Sequence, residues 1–277
     1  MTPLPELSSL AALAEHAARS AGDLIRDERP PHLGVSRTKT SATDVVTVMD
    51  TAAEALVVKT LFAERPEDGL LGEEGGLRPG TSGLTWVVDP IDGTVNYLYG
   101  IPDYAVSIAV VSGEPEPSGW TLLAGCVHNP VSGETWTATR GGGAYLDGHR
   151  LDGPADVPLS AALVGTGFGY TAARRRRQAS VVAAMIPQVR DIRRAGVASL
   201  DLCAVATGRP DAYYERGLRP WDMAAGTLVA REAGATVTGL AGLDPGEAML
   251  IAAAPRLSRE LSRALAVLDP LDDGMPP

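Results

Sequence analysis

The sequence predicts an α/β protein in which layers of helices stack on layers of sheet. Three observations lead there. Residues 7 to 62 carry two stretches of helical periodicity, residues 84 to 139 carry a run of strand signals, and beyond about residue 155 short apolar strands alternate with helices. A boundary is therefore placed near Pro154, giving an N-terminal unit over 1–154 and a C-terminal α/β unit over 155–277.

The elements follow in order. Leu7, Leu10, Ala11, Ala14, Ala17, Ala18, Ala21, Leu24 and Ile25 recur at helical spacing, and Pro30-Pro31 ends that first helix. A second helix is expected from Thr47 to Phe62, because Thr47-Val48-Met49-Asp50 has the spacing of a capping box. Strands are expected at 84–88, 104–111, 122–127 and 134–139, mostly antiparallel. The stretch Gly141 to Gly148 then reads as a loop, a short strand and an Asp-Gly hairpin turn. In the second half, strands at 163–166, 211–214 and 248–252 alternate with helices at 179–185, 199–206, 221–233 and 258–267. The tail from Pro270 to Pro277 is expected to fray.

Composition narrows the function classes. With 277 residues, 45% of them hydrophobic, the chain can bury a large core. Its formal charge of −10, from 24 basic and 34 acidic side chains, argues against nucleic acid and against anionic membranes as partners. Two cysteines make no disulfide framework, the N-terminus lacks the pattern of a signal peptide, and no apolar run approaches a bilayer span. A soluble, cytoplasmic protein is the expectation.

The chemistry concentrates in Trp86-Val87-Val88-Asp89-Pro90-Ile91-Asp92-Gly93-Thr94. A strand runs into two carboxylates three residues apart, followed by a glycine and a hydroxyl. Asp-Pro and Asp-Gly alone are ordinary turn signals. Together, the fixed proline dihedral and the permissive glycine let both aspartates converge on one point. Oxygen donors without nearby histidine or cysteine suit a hard cation such as magnesium. If a helix starts near Thr94, the free amides of Gly93 and Thr94 could receive a phosphate. Leu71-Gly72-Glu73-Glu74-Gly75-Gly76 reads by itself as a solvated acidic turn. In Trp221-Asp222-Met223-Ala224-Ala225-Gly226, Asp222 opens an apolar helix, where a plain N-cap competes with a ligand role. Clustered carboxylates holding cations would also explain how an acidic protein receives an anionic substrate.

Gly72-Glu73-Glu74, the run Asp89 to Thr94 continued by Val95-Asn96-Tyr97, and Trp221 to Gly226 appear in that order, and the sequence resembles the inositol monophosphatase family from about Ala11 to Val267. These are lithium-sensitive, magnesium-dependent phosphatases. The resemblance implies an αβαβα sandwich shared with fructose-1,6-bisphosphatase and hydrolysis of a small phosphomonoester, inositol monophosphate first. Histidinol phosphate, fructose 1,6-bisphosphate and 3′-phosphoadenosine 5′-phosphate are the alternatives, and a non-catalytic regulatory binding protein on the same fold is a further one. It implies two or three Mg²⁺ ions, replaceable by Mn²⁺, and a homodimer. Glu73, Asp89 and the Ile91 carbonyl would hold one ion, Asp89, Asp92 and Asp222 a second, and Glu73 a weaker third. Water would be activated beside Glu73 and Thr94, with Asp50 supporting it. Asp92, Gly93, Thr94, Gly196, Ala198 and Glu215 would contact substrate, Glu215 accepting from ring hydroxyls. Two departures stand out, Met49 where the family often has threonine and Val197 where many members carry a small hydroxyl.

Other features read as ordinary structure. Arg174 to Arg177 fit a solvated helix start, His128 a hydrogen-bonded residue at a strand end, Gly141-Gly142-Gly143 a turn, and Cys203 a packed helix residue.

Overall fold

The computed structural model describes residues 6–38 and 45–271. Most of the expected tail therefore lies outside the described residues. The chain opens with helix α1 (Leu7–Asp27), the two-residue strands β1 (Arg37–Thr38) and β2 (Val45–Val46), and α2 (Val48–Glu64). Next come β3 (Gly69–Gly72), β4 (Gly76–Arg78), β5 (Leu84–Asp92), the short α3 (Thr94–Tyr99), β6 (Ala105–Gly113), β7 (Trp120–His128), β8 (Thr135–Thr139), β9 (Gly143–Leu146) and β10 (His149–Arg150). The second half holds β11 (Leu163–Thr166), α4 (Ala172–Met185), β12 (Asp191–Arg193), α5 (Ala198–Ala206), β13 (Ala212–Glu215), α6 (Pro220–Glu232), β14 (Thr236–Thr238), β15 (Leu250–Ala253) and α7 (Pro255–Val267).

Two large sheets result. The first has eight strands in the order β10-β9-β8-β7-β6-β5-β3-β4, and the second five in the order β12-β11-β13-β15-β14. The first is antiparallel except that β3 runs parallel to β5; in the second, β11 runs parallel to both neighbours. The apolar stripe of α1, with Leu10, Ala14, Ala17, Ala21 and Ile25, packs with α2 on one face of the large sheet, against Trp86, Val88, Ile108 and Val110. The other face, with Val87, Ala109 and Val111, meets α5 and α6. Those helices also cover the smaller sheet through Leu202, Met223 and Ala230. α4 and α7 close its far side with Val181, Met185, Leu257, Leu261 and Leu265. Helices, sheet, helices, sheet, helices make the αβαβα sandwich.

The middle helix layer sits very close. A Cβ on Gly226 of α6 would fall 2.7 Å from the Leu202 Cβ of α5, and one on Gly125 of β7 would fall 3.2 Å from the Ala225 Cα. Glycine at these positions lets α6 lie against both neighbours and fixes where its N-terminus, with Asp222, emerges.

Differences from the sequence expectation are local. The residues before Glu73 form β3, because Leu70 and Leu71 pair beside β5. α4 begins at Ala172 under a Thr171 cap, so Arg174 to Arg177 lie inside the helix. The Asp147-Gly148 hairpin turn forms as expected, with both residues at positive φ. Among the described residues no helix is long and apolar enough to cross a membrane.

Candidate active site

The site forms where three elements end together. β5 carries Asp89 and Asp92, and its register against β6 shifts between them. Asp89 pairs with Ser107, whereas Asp92 pairs with Ala105. Residues three apart on a regular strand face opposite sides of a sheet. The extra residue in this bulge resets the phase, so both aspartates share a face. Gly93 follows at φ 92°, where a Cβ would also fall 2.8 Å from Val197 Cγ2, and α3 starts at Thr94.

Backbone amides hold the carboxylates. Asp89 Oδ1 accepts from Ile91 N at 3.0 Å. Asp92 Oδ2 accepts from Ser199 N at 2.7 Å, in the first turn of α5. The N-cap of α5 is Val197, which has no side-chain oxygen, so the carboxylate of Asp92 performs the capping that a hydroxyl there would supply. Asp222 Oδ2 accepts from Arg219 N at 2.6 Å. It occupies the third position of α6, after Pro220, and is not the N-cap the sequence suggested. Glu73 follows β3, and its own amide donates to the Val88 carbonyl at 3.1 Å.

Asp50 and Thr94 meet beside the Ile91 carbonyl. The predicted capping box is present, with Thr47 N and Oγ1 donating to Asp50 Oδ2 at 2.8 and 2.6 Å. The other oxygen of Asp50 accepts from Thr94 Oγ1 at 3.3 Å, and the same hydroxyl lies 3.0 Å from the Ile91 carbonyl. One hydroxyl proton serves both acceptors, so anything that occupies the Ile91 carbonyl directs Thr94 toward Asp50.

Glu73, Asp92, Gly196, Ala198, Glu215 and Asp222 line one cleft of about 460 Å³, and Asp89 is buried behind it. Glu215 lies over Gly167, where a Cβ would fall 1.8 Å from its Oε2, and accepts a hydrogen bond from the Tyr213 hydroxyl.

Charge in this cleft is poorly compensated. Burial, then the charges of Glu73, Asp92 and Asp222, push the Asp89 carboxyl well above the usual range. Asp222 is raised likewise by burial and by Asp92 and Glu73. Asp92 is raised to about 6 by burial, against the amides at the start of α5 that lower it. Burial takes Asp50 to about 6 and Glu215 to about 7. Among the described residues no three acidic, histidine or cysteine side chains are drawn into a ready-made cage. Like charges without a cation between them keep apart. The donor set nevertheless fits a hard divalent cation, being oxygen-only, mutually repelling, buried at Asp89 and Asp92, and oriented at Asp89, Asp92 and Asp222 by amides that do not neutralise it.

Sequence reasoning missed Glu54. Its Oε2 accepts from Glu74 N at 2.9 Å, and Cβ atoms on Gly72 and Gly75 would fall 2.5 and 2.8 Å from its carboxylate. Glu54 therefore props the turn that presents Glu73. The available signal was its position, one helical turn after Asp50 on the buried face of α2. Asn96, in the continuation of the Asp89 to Thr94 run, donates from Nδ2 to the carbonyls of Asp103 and Ala195 and ties α3 to the segment before Gly196.

The family model for the inositol monophosphatase family matches residues 6–271. The chain belongs to the inositol monophosphatase family. The inositol-1-monophosphatase SuhB of Mycobacterium tuberculosis is 43% identical over 98% of this chain and 99% of its own length. A relative called Nus factor SuhB, from Escherichia coli, is 40% identical over 83% of this chain and 85% of its own. The crystal structure of the extragenic suppressor protein SuhB from Bartonella henselae superimposes with a TM-score of 0.83, at 36% identity, over 93% of this chain and 98% of that one. In this member of the inositol monophosphatase family, the three motifs thus sit at the ends of β3 and β5 and the start of α6, around one cleft.

Proposed function

We propose that the chain is a magnesium-dependent phosphatase that hydrolyses a small polyol phosphomonoester, with inositol monophosphate as the first candidate. The observation that carries this reading is the carboxylate group of Glu73 with the amide-held Asp89, Asp92 and Asp222, whose mutual repulsion asks for divalent cations. Glu73, Asp89 and the Ile91 carbonyl would hold one ion, and Asp89, Asp92 and Asp222 another. Such ions supply Lewis-acid stabilisation of phosphoryl oxygens and make water acidic enough to attack near neutral pH.

The protein's own groups do the rest. Thr94, hydrogen-bonded to Asp50, and Glu73 would orient the attacking water and take up its proton. Gly93 and Thr94 would present amides to the phosphate, and the missing side chain of Gly93 lets that turn pack against Val197. Glu215, with Gly196 and Ala198 beside it, would accept hydrogen bonds from the alcohol's hydroxyls. The name inositol-1-monophosphatase on a relative 43% identical supports the substrate class. A regulatory binding role on the same fold is the second reading, favoured by the name Nus factor on another relative.

The test is phosphate release from inositol 1-phosphate, histidinol phosphate, fructose 1,6-bisphosphate and phosphoadenosine phosphate, each with magnesium, with chelator and with added lithium. Magnesium-dependent, lithium-sensitive release supports the proposal. Failure of every substrate, with the protein folded and metal bound, favours the binding role.

A further inference from the structure

In a chain of charge −10, the cleft wall beyond Glu215 is rich in arginine. Arg174, on α4, is set into a slot between two glycines. A Cβ on Gly169 would fall 2.6 Å from its Cδ, and one on Gly217, at φ 103°, would fall 2.5 Å from its Nη1. Gln178, one turn on, pins the loop beside it by accepting from Gly169 N at 2.9 Å. The slot holds the side chain in place, yet its donors are barely used. Nε is buried without a hydrogen-bond partner, and the ion pair to Glu247 is long, at 3.8 Å. Glu247 is instead engaged by Arg219 at 2.9 Å.

Arg194 is similar. It stacks over the Phe168 ring, 5.9 Å from the centroid, and a Cβ on Gly196 would fall 2.3 Å from its Nη1. Among the described residues it makes no hydrogen bond or ion pair, and its charge acts on Glu215 and Asp201 without direct contact. Glycines again keep room for a guanidinium that the fold itself does not employ. Each guanidinium presents a planar fork of N–H donors matched to an oxyanion.

The carboxylate end of the cleft, once filled with cations, accounts for one phosphate. It gives no use for two under-employed arginines that line the same cleft. We infer that Arg174 and Arg194 form a subsite for a second phosphate on the alcohol portion of the substrate, so that the cleft favours bisphosphorylated over monophosphorylated polyols. This rests on the phosphatase reading of the cleft and narrows its substrate class.

The experiment separates the two. Non-hydrolysable methylene-phosphonate analogues of a hexitol monophosphate and a hexitol bisphosphate are titrated calorimetrically into the full chain with magnesium. The wild type should bind the bisphosphonate at least ~10-fold more tightly, the worth of a charge-assisted contact or two. Arg174→Gln and Arg194→Gln should each erase most of that preference and leave monophosphonate affinity within about twofold. Arg175→Gln, on the exposed side of the same helix, should keep it. Equal affinity of the wild type for both analogues, binding of neither, or parallel loss of both in the arginine variants overturns the inference. Parallel loss would mean that the arginines grip the reacting phosphate. Turnover of the substrate panel judges the phosphatase reading separately, since a preference in binding stands or falls without hydrolysis.

Discussion

Replacing Asp92 by asparagine should stabilise the metal-free protein. Asp92 is 8% exposed, and its carboxyl is raised from 3.8 to about 6. A carboxyl raised in the folded state favours folding fully below its unfolded pKa, and that contribution is lost as pH rises through the folded value. A shift of about two units corresponds to about 3 kcal/mol against folding at pH 8. Asparagine removes the charge and keeps an oxygen for the Ser199 amide. It also relieves the Asp89 and Asp222 carboxyls, both raised by their neighbour. For a chain of this size the gain is roughly 5–10 °C in Tm. The assay is thermal unfolding in chelator at pH 8 and at pH 4, where the wild-type carboxyl is largely protonated in the folded state and the difference should shrink toward zero. Saturating magnesium at pH 8 should reverse the order, because the wild type gains more from the ion than the variant does. A variant no more stable than wild type at pH 8 in chelator, or one whose advantage persists at pH 4, refutes the reasoning.

Asp89→Asn should keep the fold, since the amide oxygen can still accept from Ile91 N, while kcat/KM falls by about a thousandfold or more, roughly 4 kcal/mol; near-normal turnover removes Asp89 from the bridging role. Glu215→Gln should raise KM for a polyol phosphate by roughly 10-fold to 100-fold, the loss of hydrogen bonds to a charged acceptor, and leave a plain aryl phosphate nearly unaffected. Equal losses for both substrates would mean that Glu215 does not read the alcohol. His128 is buried between α1 and Thr135, and burial first, then Arg19, lowers its pKa from 6.5. The unfolded chain therefore takes up the proton first, and stability is lost as pH falls through 6.5 toward the folded value. His128→Gln should be less stable than wild type at pH 7.5, with the deficit narrowing by pH 5; a constant deficit in thermal melts argues against the neutral buried imidazole.

Much of this arrangement is legible in the chain. Apolar spacing gives α1 and α7, and Thr47 with Asp50 announces both the start of α2 and one acid of the site. The N-cap reading of Asp222 passes over Pro220, which takes the first helical position and makes Asp222 the third. Other features depend on partners distant in sequence. Nothing local to Asp89-Pro90-Ile91-Asp92 shows that β6 advances two residues while β5 advances three, and that mismatch alone brings both aspartates to one face. Strand β3 is four residues long, and its neighbour β5 rather than its composition makes it a strand. Arg174 looked like one member of a solvated basic run, because the glycines that hold it lie five residues before and 43 after it. Val197 looked like a lost hydroxyl, yet its cap is supplied by Asp92 from the other sheet.

The way the acids are held bears on what they can do. Asp50, Glu54, Asp89, Asp92 and Asp222 each accept a backbone amide, from Thr47, Glu74, Ile91, Ser199 and Arg219. An amide is a dipole that fixes an oxygen without cancelling its charge; an arginine or lysine in the same place would orient and neutralise together. Glu74 shows the contrast, since Arg37 pairs with it and its neighbour Glu73 faces the cleft. The fold thus separates orientation from neutralisation at these positions and leaves the repulsion visible in the raised carboxyls. Guanidinium groups stand instead on the wall beyond Glu215, where they do not compete for the same oxygens. On the proposed function, a cleft organised this way would hold little affinity for an anion until cations enter it, and phosphate recognition would be conditional on metal. On the proposed phosphatase function, that order of events would explain how a chain of net charge −10 receives a phosphate ester.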